Sequence, residues 1–598
     1  MTLPIIQLPR FRFALLLFFA LGLRTLAAGD ASPAAGSLTP AEVKVMLQDY
    51  IDTDKLGAAL VVGVVDANGA WVAGRGKLDD GTDREANGDT VFEIGSITKV
   101  FTALLLQDMV ERGEMKLDDP VQKYLPDTVK VPTYEGKQIT LLHLATHTSG
   151  LPGMPDNLSP HTWKDPDQTD YTVEQLYTFL SHYKLRRAPG MEAAYSNLGF
   201  ELLGHVIALK AGTNYETLVL DRICRPLGMN STRIVLTPEM KSRLAIGHAM
   251  PGRRVSGMNF TFLPGAGGLH STANDLLKFV SAYLGLKPSP LNSLMEKAKA
   301  FHQMESGAKL MLAWGADDTA FGHNGGTYGY KTILGFDPKE RRGFTVLSSC
   351  RNSVLVDAMW GPLRTAYSPR PANTIAPFPA LYDRYVGQYK LDKDSGICTV
   401  RCEGERLLIQ WIGQSGERCP SYEVFPQSES IFHNEFWGVQ AEFYPTVDGP
   451  FGLTLSALGP YSGIDTNKPL KLKRFSREVA APMPAPLQLS SNIYERYVGQ
   501  YRKSLLWGLI HVGPTLSIAH ESDELGDHLI ATAHGVPGYS TAEFFPVTTN
   551  YFIVNPITTG DDIRFTFFRN KKGKATRVKV YWNGKQLRGS RISDQPAK

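Results

Sequence analysis

Ser96 and Lys99 stand three residues apart in "FEIGSITKVFTALLLQDMVERG" (92–113), a spacing at which the two could act as a nucleophile and its base. In a helix they lie one turn apart, about 4.5 Å along the axis, and share a face. Ile97, Val100, Phe101, Leu104, Leu105, Leu106, Met109 and Val110 put apolar side chains most of the way round this segment, the pattern of a buried helix. Burying an ammonium is costly, and the response is a depressed pKa or a partner charge. A lysine so depressed can take the hydroxyl proton of Ser96. Ser96 follows Gly95 at the expected N-cap or first turn, where the helix dipole favours a developing oxyanion. The motif is short, and Ser181 and Lys184 repeat it by chance before "LRRAPG", an expected helix end where solvated side chains belong.

Two further groups accompany the pair. "EAAYSNLGFELLGHVI" (192–207) places Tyr195 and Asn197 on a loop just before an apolar helix. "FGHNGGTYGYKTILGFD" (321–337) places His323, Gly325 and Gly326 at the entry to a strand. Taken singly, the first reads as a helix cap and the second as a turn. Lys210-Ala211-Gly212 reads as a helix C-cap. "HLATH" (143–147) sets two histidines at i and i+4, as on a zinc-binding helix, but Leu144 stands where a glutamate should follow the first histidine. No metal or other cofactor is implied, because a serine, a lysine and a tyrosine complete acid-base chemistry unaided.

Serine-lysine, tyrosine-asparagine and histidine-glycine, in that order and roughly a hundred residues apart, resemble the three signatures of the penicillin-binding-protein and serine β-lactamase superfamily. "ITLLHLATHTSGLPG" and "PGAGGLHSTANDLLKF" are similar to its class C β-lactamase-related branch (peptidase S12-like), and the resemblance spans about residues 40 to 365. It implies Ser96 as the acylated nucleophile, Lys99 as its base and Tyr195 as the proton shuttle to the leaving group. A phenol titrates at about pH 10, so Tyr195 would need the Lys99 charge to act as phenolate. Asn197 would donate to the substrate's amide carbonyl, with His323 and Gly325 lining the substrate and the backbone N–H groups of Ser96 and Gly326 forming the oxyanion hole. His323 stands where ordinary β-lactamases carry lysine. Histidine there, and the overall layout, resemble D-aminopeptidases. The implied activity is D-stereospecific hydrolysis of an amide or peptide bond, of D-aminopeptidase or D-Ala-D-Ala carboxypeptidase type. A β-lactamase or carboxylesterase on the same scaffold is the alternative, and a penicillin-binding sensor that is acylated without turnover is a remoter one. The implied partners are small peptide, amide or ester substrates, including peptidoglycan-derived ones, and β-lactams as acylating ligands.

The elements that must position these groups are legible too. "AALVVGVVDANGAWVAGRG" (58–76) reads as a hairpin turning at Ala67-Asn68-Gly69, and "YKTILGFDPKERRGFTVLSSC" (330–350) as another turning around Asp337-Pro338. Mostly helical segments lie between them. One antiparallel sheet built from both ends of the domain, with helices packed on it, follows. Two Pro- and Ala-rich linkers, 368–380 and 478–490, each precede nearly the same phrase, "LYDRYVGQYK" (381–390) and "IYERYVGQYR" (493–502). The duplication marks two sister domains, and the alternation of Ile563, Phe565 and Phe567, then Val578, Val580 and Trp582, marks them as all-β barrels. The expectation is a multidomain chain. A leader at 1–28 and an α/β (α+β) β-lactamase-like catalytic domain at 38–367 come first, and antiparallel barrels follow at 381–477 and 491–593.

The leader is inferred from Arg10 and Arg12, an apolar run from Phe13 to Leu23, and small residues at Ala27 and Ala28. This predicts a cleaved signal peptide, a periplasmic or secreted protein, and no stable membrane span afterwards. A formal net charge of +4 over 598 residues, without a run of like charges, carries no nucleic-acid signature. Five cysteines are too few for a disulfide framework, with room for one bridge among Cys398, Cys402 and Cys419.

Overall fold

The computed structural model describes residues 38–53, 58–158, 171–250, 252–257, 264–316, 319–351, 353–365, 374–390, 396–413, 421–434, 438–446, 451–457, 470–476, 495–505, 510–523, 526–534, 541–546, 551–555, 563–570, 574–582 and 585–593. The expected leader and Cys419 lie outside these residues.

Leu60–Asp66 (β1) and Gly69–Arg75 (β2) form the first hairpin, paired down to Asp66 opposite Gly69. Six antiparallel strands make one sheet in the order β2, β1, Arg342–Ser348, Lys331–Asp337, Phe321–Gly326 and Gly315–Ala316. The two ends of the domain therefore meet at its centre. Alternation along β1 sorts side chains between two cores: Val61 and Val65 face one, while Leu60, Val62 and Val64 face the other.

The first core holds the helix Thr98–Glu111 (α2, numbered after the N-terminal helix α1, Pro40–Gln48). Every α2 residue from Thr98 to Met109 is buried, Lys99 included. The second core holds α1 through Val43 and Leu47, together with Leu355, Val356, Met359 and Leu363 from the end of the domain. A capping box between Thr39 and Glu42 starts α1. Later come the short helix Leu141–Ala145 (α3), Val173–His182 (α4) and Asn197–Ala211 (α5). Gly212, left-handed at φ 66°, terminates α5.

Two closed eight-stranded barrels follow. Their strands run in sequential order, from Gly387–Lys390 to Leu470–Ser476 and from Gly499–Leu505 to Lys585–Ser593. The repeated phrase does the same work in each. Tyr389 donates its hydroxyl to the Tyr385 carbonyl at 2.6 Å, and Tyr501 donates to that of Tyr497 at 2.8 Å. A register shift falls at the same place in both copies, between Gln388 and Tyr389 and between Gln500 and Tyr501, where the first strand meets the last. A bulge increases local twist, which helps a small barrel close. Tyr382, Tyr385, Tyr389, Phe432 and Phe443 fill the first barrel, with Tyr385 stacked on Phe443 at 4.3 Å. Cys398 and Cys402 are both thiols. They lie four residues apart on one strand, about 13 Å by strand rise, too far to bridge each other.

Among the described residues no helix is long and apolar enough to cross a membrane. The first barrel docks on the turn after α1, where Arg406 ion-pairs with the buried Asp49 and also with Glu423 at 2.8 Å. Removing the guanidinium leaves a buried carboxylate unmatched. Arg406→Met should therefore cost about 1–3 kcal/mol, read as a lower urea midpoint, and adding Asp49→Asn should recover part of it. An unchanged midpoint in the single variant would show that this pair does not fasten the barrel.

Candidate active site

Ser96 lies in a short 3₁₀ turn, Gly95–Ile97, and α2 proper begins two residues later at Thr98. It is therefore not the α-helical cap or first-turn residue that its position suggests, because Gly95 turns the chain left-handed at φ 51° and tightens the entry. The turn is fastened on both sides. Ile94 accepts a hydrogen bond from Thr332 Oγ1 at 3.0 Å and donates its N–H to Leu269 O at 3.0 Å, while Thr98 Oγ1 accepts from Leu269 N–H at 3.1 Å. Within a buried surround, Ser96 is the residue of this turn that remains partly open.

Lys99 is fully buried and its Nζ has three oxygen neighbours: Ala266 O at 2.6 Å, Asn197 Oδ1 at 2.8 Å and Ser96 Oγ at 3.0 Å. Burial holds its pKa well below the ordinary lysine value. A neutral amine has two N–H donors and one lone pair. The Ala266 carbonyl and the Asn197 amide oxygen can only accept, so they engage both donors and leave the lone pair facing the Ser96 hydroxyl. Asn197 opens α5 instead of preceding it, since Ser196 is the cap, its Oγ accepting from Gly199 N–H at 2.9 Å. With Oδ1 committed to Lys99, the Asn197 NH₂ is the half of the amide left to face a substrate.

Tyr195 closes the pocket from the loop before α5. Its ring centre is 4.9 Å from Lys99 Nζ, and it hydrogen-bonds to Ser96. The residue as a whole is 36% exposed, but its hydroxyl end is desolvated, and burial pushes the phenol pKa up, against the pull of the Ser96 bond. The phenolate expected from the Lys99 charge is thus disfavoured in this desolvated setting. The low dielectric that neutralises the lysine also favours the neutral phenol.

The opposite wall is the strand Phe321–Gly326. A Cβ on Gly95 would stand 2.8 Å from Gly326 N, so the Gly326 amide closes directly onto the Gly95-Ser96 turn. His323 Nδ1 donates to the Asn324 carbonyl at 2.6 Å, and desolvation, with Lys99 nearby, takes the imidazole down to about 4. His323 is therefore uncharged at neutral pH and does not reproduce the cation that lysine would place there. The structure brings together Ser96, Lys99, Tyr195, Asn197, His323, Gly325 and Gly326.

Three features carry no sequence signal of the same kind. Ala266 contributes only its carbonyl. Arg351, just past the strand Arg342–Ser348, lies against Gly326, where a Cβ would meet Nη1 at 2.1 Å. His143 and His147 do not form a metal-binding face: α3 ends at Ala145 and His147 turns left-handed at φ 58°. His143 caps α3 and approaches Glu305 at 3.3 Å, whereas His147 packs on Tyr195 at 4.4 Å between ring centres.

This fold, with one nucleophile-base pair in a desolvated pocket between α2 and a strand edge, defines a serine hydrolase. The profile of the Beta-lactamase family matches residues 47–365, more than half of the sequence, and the chain belongs to that family. It is 38% identical over 229 residues to the D-alanyl-D-alanine-carboxypeptidase/endopeptidase AmpH of Escherichia coli (strain K12), covering 38% of this chain and 57% of that one. It is 33% identical over 204 residues to an E. coli beta-lactamase, covering 34% of this chain and 50% of that one. The chain thus spans about half the length of these two relatives. Penicillin-binding protein 4* of Bacillus subtilis is 28% identical over 393 residues, covering 59% of this chain and 83% of its own. A solved beta-lactamase/D-alanine carboxypeptidase from Yersinia pestis, complexed with citrate, aligns over 52% of this chain and 93% of its own, with 28% identity and a TM-score of 0.45.

Two substitutions test the frame of the pocket. A methyl on Gly325 would stand 2.0 Å from Ile94 O and 2.3 Å from Thr332 Oγ1, which forces the strand off the Gly95-Ser96 turn. Gly325→Ala should lower kcat/KM by about 100-fold or more, and activity within tenfold of wild type would show that the strand can yield. Beneath the pocket Glu201 accepts from Gly265 N–H at 3.3 Å, and burial raises its carboxyl to about 8. The unfolded chain releases that proton above about pH 4.3, so folding takes up a proton between these values. The stability that Glu201 contributes is therefore complete at low pH and is lost as pH rises toward 8. Glu201→Gln should raise the unfolding midpoint relative to wild type at pH 8.5 and change it little at pH 4.5. An equal shift at both values would remove the titration as its cause.

Proposed function

We propose that this protein is an exported serine hydrolase that cleaves an amide or peptide bond beside a D-residue through an acyl-Ser96 intermediate. The observation that carries the reading is the Lys99 amine, desolvated, its two donors engaged, 3.0 Å from Ser96 Oγ. Lys99 accepts the Ser96 proton as Oγ attacks the substrate carbonyl. The N–H groups of Ser96 and Gly326 receive the oxyanion, and the Asn197 NH₂ holds the substrate's amide carbonyl. Tyr195, as the neutral phenol, donates its proton to the departing nitrogen and regains one from Lys99, so that amine and phenol end as they began. Water then enters where the leaving group was, and the same groups work in reverse to free the acid. Export rests on the basic and apolar N-terminal sequence, which favours the periplasm or the exterior.

Of the two peptidase types, the carboxypeptidase is favoured by Arg351. Its guanidinium lies on Gly326 at the oxyanion end of the strand, Asp357 (whose charge reaches it) is ion-paired to Lys331, and the neutral His323 adds no competing cation. A substrate with a free carboxylate on the leaving side would meet that charge. The name of the E. coli relative agrees with this choice. The D-aminopeptidase suggested by His323 is the second reading.

The test sets release of D-alanine from a peptide ending in D-Ala-D-Ala beside cleavage of D-alanyl and L-alanyl p-nitroanilide, with Ser96→Ala as control. Carboxypeptidase action should predominate, fail in Ser96→Ala, and fall in Arg351→Gln mainly through KM. Preferred cleavage of D-alanyl p-nitroanilide would select the aminopeptidase. Equal cleavage of the L-anilide would refute D-specificity, and rapid turnover of a β-lactam or simple ester alone would move the assignment to those chemistries.

A further inference from the structure

His147 carries two local costs at one residue. Its backbone is left-handed at φ 58°, which is uncommon for any residue other than glycine, although histidine is among the types that adopt it more often. Its Nδ1 accepts the Ser196 N–H at 3.1 Å, so in the neutral ring the proton is on Nε2, and Nε2 is buried without a hydrogen-bond partner among the described residues. An unsatisfied buried donor costs about 1–3 kcal/mol. A residue present only to fill space would bring neither cost.

What the two costs secure is the chain on either side of Tyr195. The His147 carbonyl accepts from Ala194 N–H at 2.8 Å while its ring accepts from Ser196 N–H, and the ring lies against that of Tyr195 at 4.4 Å and against Phe200 at 4.8 Å. The residues that follow extend the template. Ser196 Oγ donates to Pro152 O at 2.6 Å, and the N–H groups of Asn197 and Leu198 both reach Gly153 O, at 3.0 and 3.1 Å. Residues 147–153 thus form a mould for residues 194–198, and His147 is the part of it that touches Tyr195 itself.

We propose that His147 is a positioning residue for Tyr195: its carbonyl and Nδ1 clamp the backbone before and after the tyrosine, and its ring fixes the direction of the phenol toward Ser96. This rests on the proton-transfer role proposed for Tyr195. The left-handed backbone is what lets one residue present its carbonyl and its ring to the same short stretch of chain. Desolvation, with Lys99 on α2 and His323 on the neighbouring strand, holds the imidazole well below its ordinary pKa, which keeps Nδ1 an acceptor through the neutral range.

Three substitutions separate the parts. Asn tolerates the left-handed region and keeps a short acceptor; Phe keeps the ring without the acceptor; Ala keeps neither. With a D-Ala-D-Ala peptide as substrate, His147→Phe should lower kcat by about 10- to 100-fold with KM within twofold, and His147→Asn should recover most of the loss. In a Tyr195→Phe background, His147→Phe should cost little further. The inference is overturned if kcat of His147→Phe stays within twofold of wild type, or if its loss is the same in both backgrounds. A Tyr195→Phe enzyme of full activity would instead refute the role given to the tyrosine, a result distinguishable from either. Thermal midpoints of the three variants show whether any of them acts by unfolding, and His147→Asn, with no bulk added and the backbone tolerated, keeps the comparison open if the others fail to fold.

Discussion

Everything around the pocket answers one problem, the burial of the Lys99 amine. A charged ammonium in an apolar core needs a partner charge or must lose its proton, and among the described residues no carboxylate bonds to Nζ. Its neighbours are a backbone carbonyl, an amide oxygen and a hydroxyl, supplied by three separate segments at 2.6, 2.8 and 3.0 Å. Each segment is held by something else: Ala266 by the turn that Glu201 supports, Asn197 by the Ser196 cap and by residues 147–153, and Ser96 by the Gly95 turn wedged against Gly326. Moving any one of them would leave an amine hydrogen or lone pair unmatched in a medium of low dielectric, where such losses are large. The requirement to satisfy one nitrogen therefore fixes the relative positions of α2, α5 and the segment Pro264–Gly267.

That dependence explains what could be read from the sequence. Ser96 and Lys99 were legible because the helical period and the apolar neighbours of α2 together state that a lysine is buried, and burial is chemistry. Tyr195, Asn197, His323 and Gly326 were legible only through the family resemblance that their motifs carry together, since taken singly they read as a helix cap and a turn. The Ala266 carbonyl was not, because every residue has one and its side chain says nothing of where it points. His147 stood in plain view in "HLATH", but its i, i+4 spacing suggests a helical metal face, and only the left-handed turn after α3 shows that it belongs to the tyrosine loop. The phenol shift escaped for a related reason: a neighbouring lysine looks like a cation until its own desolvation is counted.

The barrels show the same division between local and distant information. The duplicated "RYVGQY" announces two copies, and both form the same tyrosine hydrogen bond and the same register shift. Their closure follows from alternating strands and a repeated aromatic filling. Where the first barrel sits does not follow, because its anchor joins Arg406 to Asp49, an ion pair between residues 357 positions apart with nothing in either neighbourhood to mark it.

The position of that anchor decides which face of the sheet carries the barrel. Asp49 follows α1, whose Val43 and Leu47 belong to the core on the face of the sheet opposite α2. The central strands β1, Lys331–Asp337 and Arg342–Ser348 are buried almost throughout, and β1 divides its side chains between the two cores. Close packing makes such a sheet stiff and poorly compressible. The barrel is thus tied to the second core, with the sheet lying between its anchor and the first core that holds Lys99 and the Gly95 turn.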